Sequence, residues 1–222
     1  MVTVRYYLYI SDAKIDMLLS QVDPAFGRRS TTEAGLSVRL FNIKRSVETP
    51  APDRTAKLER VLRHLEETDQ IGSVDEPGPY FRGSLPMQWG TLHGGGDGSL
   101  VYFGGRTDRT VLGLGGAVGH VLGTTAPQAQ VFAPSSGPTL LAGLASAFAP
   151  EGTEDSECTE APGEEASLAA VHTAGRLLRG PRQTVEFVAR RLLTGPSPYP
   201  ELDAGPDMRV LLGSPLYVAL AD

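Results

Sequence analysis

Apolar side chains along this chain follow two periods, and the changes between them place its elements. Thr3 to Ile10 (TVRYYLYI) is dense in β-branched and aromatic residues, with apolar groups on both faces. That is the pattern of a buried strand. Ser11 and Asp12 then offer capping oxygens to a helix running to about Val22, with Ile15, Leu18, Leu19 and Val22 on one face and Pro24 closing it. Gly35 to Ile43 alternates apolar and polar residues and reads as a strand. After a linker at Ser46–Pro52, Asp53 caps a helix to about Thr68 whose stripe is Leu58, Val61, Leu62 and Leu65.

In the second half the runs are shorter and the punctuation denser. Prolines and aromatics in Gly72–Trp89 predict two short strands, Pro79–Gly83 and Leu85–Trp89, followed by a glycine loop at His93–Gly98. Ser99–Gly104 and Arg109–Gly115 read as a hairpin turning at Gly105–Asp108. Gln130–Ala133 is a short extended piece, and Pro138 starts a helix to about Phe148. Residues 150–165 are acidic, small and polar, and read as a flexible loop. Two helices are expected next, Glu164–Leu178 and Pro181–Leu193, and then a final strand, Arg209–Leu220, disturbed at Gly213-Ser214-Pro215. The sum is a single α+β domain over residues 1–222. It would have a mixed or mainly antiparallel sheet of five to seven strands, packed by four or five helices.

Composition narrows the function more than the fold. A net charge of −6 argues against general nucleic-acid affinity. No apolar run approaches the length of a membrane span. A single cysteine, Cys158, allows no intrachain disulfide, and the opening residues lack the pattern of a signal peptide; both fit a cytoplasmic protein. No cofactor and no metal site is expected, since none of the four histidines pairs with another at helical spacing.

The stretch VLGLGGAVGHVLG, Val111 to Gly123, looks most like a phosphate loop. Its Gly113, Gly115, Gly116 and Gly119 follow a strand with a loose dinucleotide spacing. Three features oppose that reading. The strand is the second arm of a hairpin, no acidic residue follows at the distance a ribose needs, and no further strand–helix pairs follow. The glycines are better read as a sharp strand-to-helix turn with close packing. An anion-binding helix start at Gly115–Ala117 is the other reading.

The remaining candidates are scattered. His93, beside Trp89 and the glycine loop, and His120, after the glycine run, are the acid/base candidates. Trp89, Tyr102, Gly115 and Gly116 are candidate ligand contacts. Arg176 and Arg179 join them from an arginine face that also includes Arg182, Arg190 and Arg191. That face lacks interleaved aromatics, which weakens a nucleic-acid reading. Asp12 is most cheaply a cap, and Ser214 does not sit in a nucleophile elbow.

The pieces RYYLYISDAKIDMLLSQ, SLVYFGGRTDRTVLGLGG, GPRQTVEFVARRLL and VLLGSPLYVAL resemble an uncharacterised actinobacterial family, one of the domains of unknown function common in Streptomyces. The resemblance implies an actinobacterial cytoplasmic protein and brings no activity to any residue. Two functional expectations stand. The first is a non-catalytic protein holding a small anionic ligand or a protein partner. The second is an enzyme of specialised metabolism with His93 or His120 in an aromatic-lined pocket. Oligomeric state is left open.

Overall fold

The structure, a computed structural model, describes residues 4–24, 54–93, 99–123, 140, 144, 163–202 and 207–221. The expected strand Gly35–Ile43, the piece Gln130–Ala133, most of the helix Pro138–Phe148 and most of the acidic loop lie outside them. The chain forms two compact units, one made of Met1–Ile10 with Gln70–Asp222 and the other of Ser11–Asp69.

The smaller unit contains α1 (Asp12–Val22) and α2 (Arg54–Glu67). Each buries one apolar stripe: Ile15 and Leu19 on α1, and Leu58, Val61 and Leu65 on α2. Arg54 pairs with Asp12 at 2.5 Å, Lys57 with Asp16 at 2.8 Å and Arg60 with Asp23 at 3.1 Å. Partners rise together along both helices, so the two run parallel. Exposed pairs of this kind contribute little each, and their value is to fix the register of one helix on the other. Asp12 is therefore an ion-pair partner rather than a side-chain cap.

The larger unit is built on strands β1 (Tyr6–Ile10), β2 (Ile71–Gly72), β3 (Tyr80–His93), β4 (Ser99–Arg106), β5 (Thr110–Ala117), β6 (Gln183–Pro196) and β7 (Arg209–Leu220). Five of them close into a barrel in the order β3–β4–β5–β7–β6, with β6 returning to β3. All neighbours in the ring are antiparallel except β5 and β7. β1 adds to the second half of β7, and β2 adds to the start of β3. One helix, α3 (Glu164–Leu177), packs on the outside of the barrel, against β4, β5, β6 and β7.

This corrects the expected architecture. In place of one sheet of five to seven strands there is a closed five-stranded barrel with two added strands, and the described residues hold three α-helices rather than four or five. The segment expected as a helix at Pro181–Leu193 is the strand β6, which closes the barrel. The two short strands expected before Trp89 are one strand, β3. The glycine run is not a strand-to-helix turn. β5 continues through Ala117, and a single 3-10 turn at Val118–His120 follows.

Alternation along the strands sorts side chains into two cores. Phe81, Leu85, Met87, Val101, Phe103, Leu112, Leu114, Val185, Phe187, Leu211 and Val218 fill the barrel. Tyr102, Val111, Val210 and Leu212 point outward beneath Leu168, Val171, Ala174 and Leu178. Every residue of β5 is buried, which is why its sequence reads as a nearly continuous apolar run. β7 also runs unbroken through Pro215. The disturbance there is a bulge, opposite Val188 and Ala189 of β6.

The β4–β5 hairpin is tied by Asp75. Thr107 Oγ1 donates to its carboxylate at 2.6 Å and Thr110 Oγ1 at 2.8 Å, with Arg109 at 3.9 Å. Burial acts to raise the Asp75 pKa, but the two hydroxyl donors and the Arg109 charge outweigh it and hold the carboxyl below its usual value. A lowered folded-state pKa stabilises above the unfolded pKa, about 3.9, and that stability is lost as pH falls through the folded value. Asp75→Asn is therefore expected to cost about 1–2 kcal/mol at pH 7. In thermal melts the gap between variant and wild type should hold from about pH 7 to 5 and narrow as pH falls below about 4.

Candidate functional site

The end of α3 crosses the wall of the barrel where glycines remove side chains from both surfaces. A Cβ built on Gly104 would lie 2.8 Å from Leu178 and 3.2 Å from the Cα of Gly175. Helix and strand therefore approach at backbone distance. Beside this crossing lies a cleft of about 360 Å³. Its floor is Gly104 and Gly105 of β4, with Val111 of β5. Its walls come from His172, Gly175 and Arg176 of α3, Gln88 of β3, Arg182 ahead of β6, and Leu202.

Three arginines line this space from three separate segments. Arg106 is the last residue of β4, Arg176 lies in the last turn of α3, and Arg182 precedes β6. All three are exposed, and none makes an ion pair with a described carboxylate. Among the described residues, no acidic one lines the cleft. In a chain with 26 acidic and 20 basic residues, that is a local inversion of the overall charge.

The segment carrying Arg182 is fixed from below. Gly180 has φ of +112°, in the region that favours glycine, and so turns the chain from α3 toward β6. Gln88 Nε2 donates to its carbonyl at 2.6 Å. Trp89 Nε1 donates to the side-chain oxygen of Gln183 at 3.3 Å. Behind Arg176, the His172 ring is 4 % exposed and lies 5.1 Å from the ring of Tyr199.

The sequence candidates separate in the fold. Arg176 lines the cleft; Arg179 is exposed and lies outside its lining. Tyr102 is fully buried under α3, where its hydroxyl donates to the Val171 carbonyl at 3.0 Å and burial pushes its pKa well above the ordinary phenol value. Trp89 is on the opposite face of the wall, stacked on Phe103 at 5.7 Å. Phe103 meets Tyr9 edge-on at 6.3 Å, and Tyr9 meets His120 at 5.8 Å. Trp89 and His120 thus stand at the two ends of one aromatic string, away from Tyr102. His93 ends β3. Gly115 makes room for Leu140, and Gly116 for the ring of Tyr9. Among the described residues no three of His, Cys, Asp and Glu gather as metal ligands.

Sequence reasoning passed over Arg106, Gln88, His172 and Leu202 as site residues. One signal was available: His172 and Arg176 are four apart on one helix and so share a face.

Residues 5–222 match DUF7019, a family of unknown function. The chain belongs to that family. No curated protein and no solved structure matches it. The matched residues span both compact units. No described helix is long and apolar enough to cross a membrane.

Proposed function

We propose that this chain is a non-catalytic binding protein for a small anionic ligand, held in the cleft between α3 and the barrel. The observation that carries the reading is that Arg106, Arg176 and Arg182 line one space with no carboxylate among its described lining residues. Concentrating cations that have no described carboxylate partner costs stability through mutual repulsion, and a bound anion relieves that repulsion. The cleft is concave and of small-molecule size, which favours a small ligand over a protein partner. The resemblance to actinobacterial sequences, with the single cysteine, supports an actinobacterial cytoplasm as the setting.

An enzyme of specialised metabolism is the second reading. The observation favouring it is His172, a buried imidazole in the cleft wall, where an acid or base would stand.

Thermal shift measurements test the proposal. The panel is pyrophosphate, glycerol 3-phosphate, citrate and malate, and the proteins are the wild type and a variant with Arg106, Arg176 and Arg182 all changed to Ala. A ligand at a hundred times its Kd adds about 2.7 kcal/mol, a Tm rise of roughly 5–10 °C for a chain of this size. At least one anion should give such a rise in the wild type and none in the triple variant. An equal rise in both proteins would remove the cleft from the account.

A further inference from the structure

We infer that the ligand is a small phosphomonoester, with its phosphoryl group among the three arginines and its organic body toward Val111 and Leu202. The inference rests on the anion-binding reading above and adds the chemical class. Its first ground is the direction of the donors. Arg106, Arg176 and Arg182 enter from the end of a strand, the last turn of a helix and the approach to a second strand. A carboxylate is planar, and one guanidinium fork satisfies both of its oxygens. A phosphoryl group presents three oxygens in three directions and takes a fork on each side.

The second ground is the absence of competing donors in the floor. Gly104 and Gly105 are paired on both sides, with Gln88 and Met87 of β3 and with Gly113 and Leu112 of β5. Their backbone groups belong to the sheet, so recognition falls to the side chains. Gln88 is likewise committed through its amide nitrogen to Gly180. The donors that remain are mostly permanent cations, and they match a dianion rather than a neutral polar ligand.

The third ground is size. The cleft holds about 360 Å³, roughly the volume of a dozen water molecules. Inorganic phosphate would leave most of it empty. The remaining wall is mixed: aliphatic at Val111 and Leu202, and flat at the buried imidazole of His172. That suits a compact body with both carbon and hydroxyl surface, on the scale of a sugar phosphate.

Isothermal titration calorimetry of the full chain at low ionic strength is the test, with ribose 5-phosphate, glycerol 3-phosphate, inorganic phosphate and citrate as probes. One of the two phosphomonoesters should bind at a single site at least ten times more tightly than inorganic phosphate or citrate. Arg176→Ala should weaken it about ten- to a hundredfold, with the Tm of the free protein unchanged within about 2 °C. Arg182→Gln repeats the comparison if Arg176→Ala folds poorly. Citrate binding most tightly, and losing affinity in the variant, would overturn the phosphomonoester and leave the anion site standing. Inorganic phosphate binding as tightly as the esters would overturn the organic body. No heat from any probe would overturn this inference and the anion-binding reading together.

Discussion

Gly113→Ala is expected to lower the melting temperature by about 6–12 °C, from roughly 3 kcal/mol lost, whereas Gly119→Ala leaves it unchanged or slightly raised. A methyl on Gly113 would overlap the Tyr102 hydroxyl and stand 2.8 Å from its ring and 3.0 Å from Val171. Tyr102 has nowhere to move. It is fully buried, and its hydroxyl is held by the Val171 carbonyl at 3.0 Å. Displacing it would leave a buried donor and a buried acceptor unmet, at about 1–3 kcal/mol, added to an overpacking cost of about 1–3 kcal/mol. Gly119 has no atom within 4 Å of a built Cβ and no positive φ. Alanine there removes only freedom of the unfolded chain. Thermal melts of the two variants decide the matter. Equal, small effects would show that packing does not require the glycines of β5, and an anion loop would again be the better account of that run.

The glycine run also shows how far a linear reading reaches. The β4–β5 hairpin was legible because alternation and turn residues act over a few positions. The fact that β5 continues past its glycines was not. Gly113 and Gly115 face α3 and Leu140, while Gly116 faces Tyr9, and each partner is remote in sequence. Gly83 and Pro86 had the same effect in β3. They punctuate the sequence, but Gly83 sits against Phe187 and Pro86 lies opposite Thr184, so the strand runs through both. Barrel closure was hidden for the same reason. It depends on Tyr80 meeting Arg190, and β3 carries no local mark of a partner that far along the chain.

The site was legible in part, along the same divide. Arg176 and Arg182 were visible as an arginine face, since helix and turn residues declare exposure locally. Arg106 read as part of a hairpin turn, and only the crossing of α3 over Gly104 makes it a wall of a cleft. Trp89 and Tyr102, both candidate ligand contacts, are parted by register. Trp89 lies opposite Phe103, so those two share the inner face and Tyr102 must point out. That register belongs to β3 and β4, and the turn at Thr107–Thr110, which joins β4 to β5, carries no mark of it.

Phe187→Ala and Arg190→Ala form the pair that tests β6. On a helix over Pro181–Leu193, residues 187, 190 and 191 fall along one face, and both substitutions would act on the same surface. On a strand, 185, 187 and 189 enter the barrel while 190 points out. Phe187 is 1 % exposed and meets Phe81 edge-on at 5.9 Å. Its removal leaves a cavity at the junction of β3 and β6, with an expected loss of about 3–5 kcal/mol. Arg190 is exposed and lies opposite Tyr80, and its truncation should stay within about 0.5 kcal/mol. Chemical denaturation of both variants is the measurement. A large loss at Phe187 with none at Arg190 is the signature of alternation in a strand that closes the barrel. Comparable losses at both positions would contradict that pairing of β6, and with it the placement of Arg182 at the mouth of the cleft. The packing of Phe187 inside the barrel and the placing of Arg182 beside the cleft outside it therefore depend on the same strand.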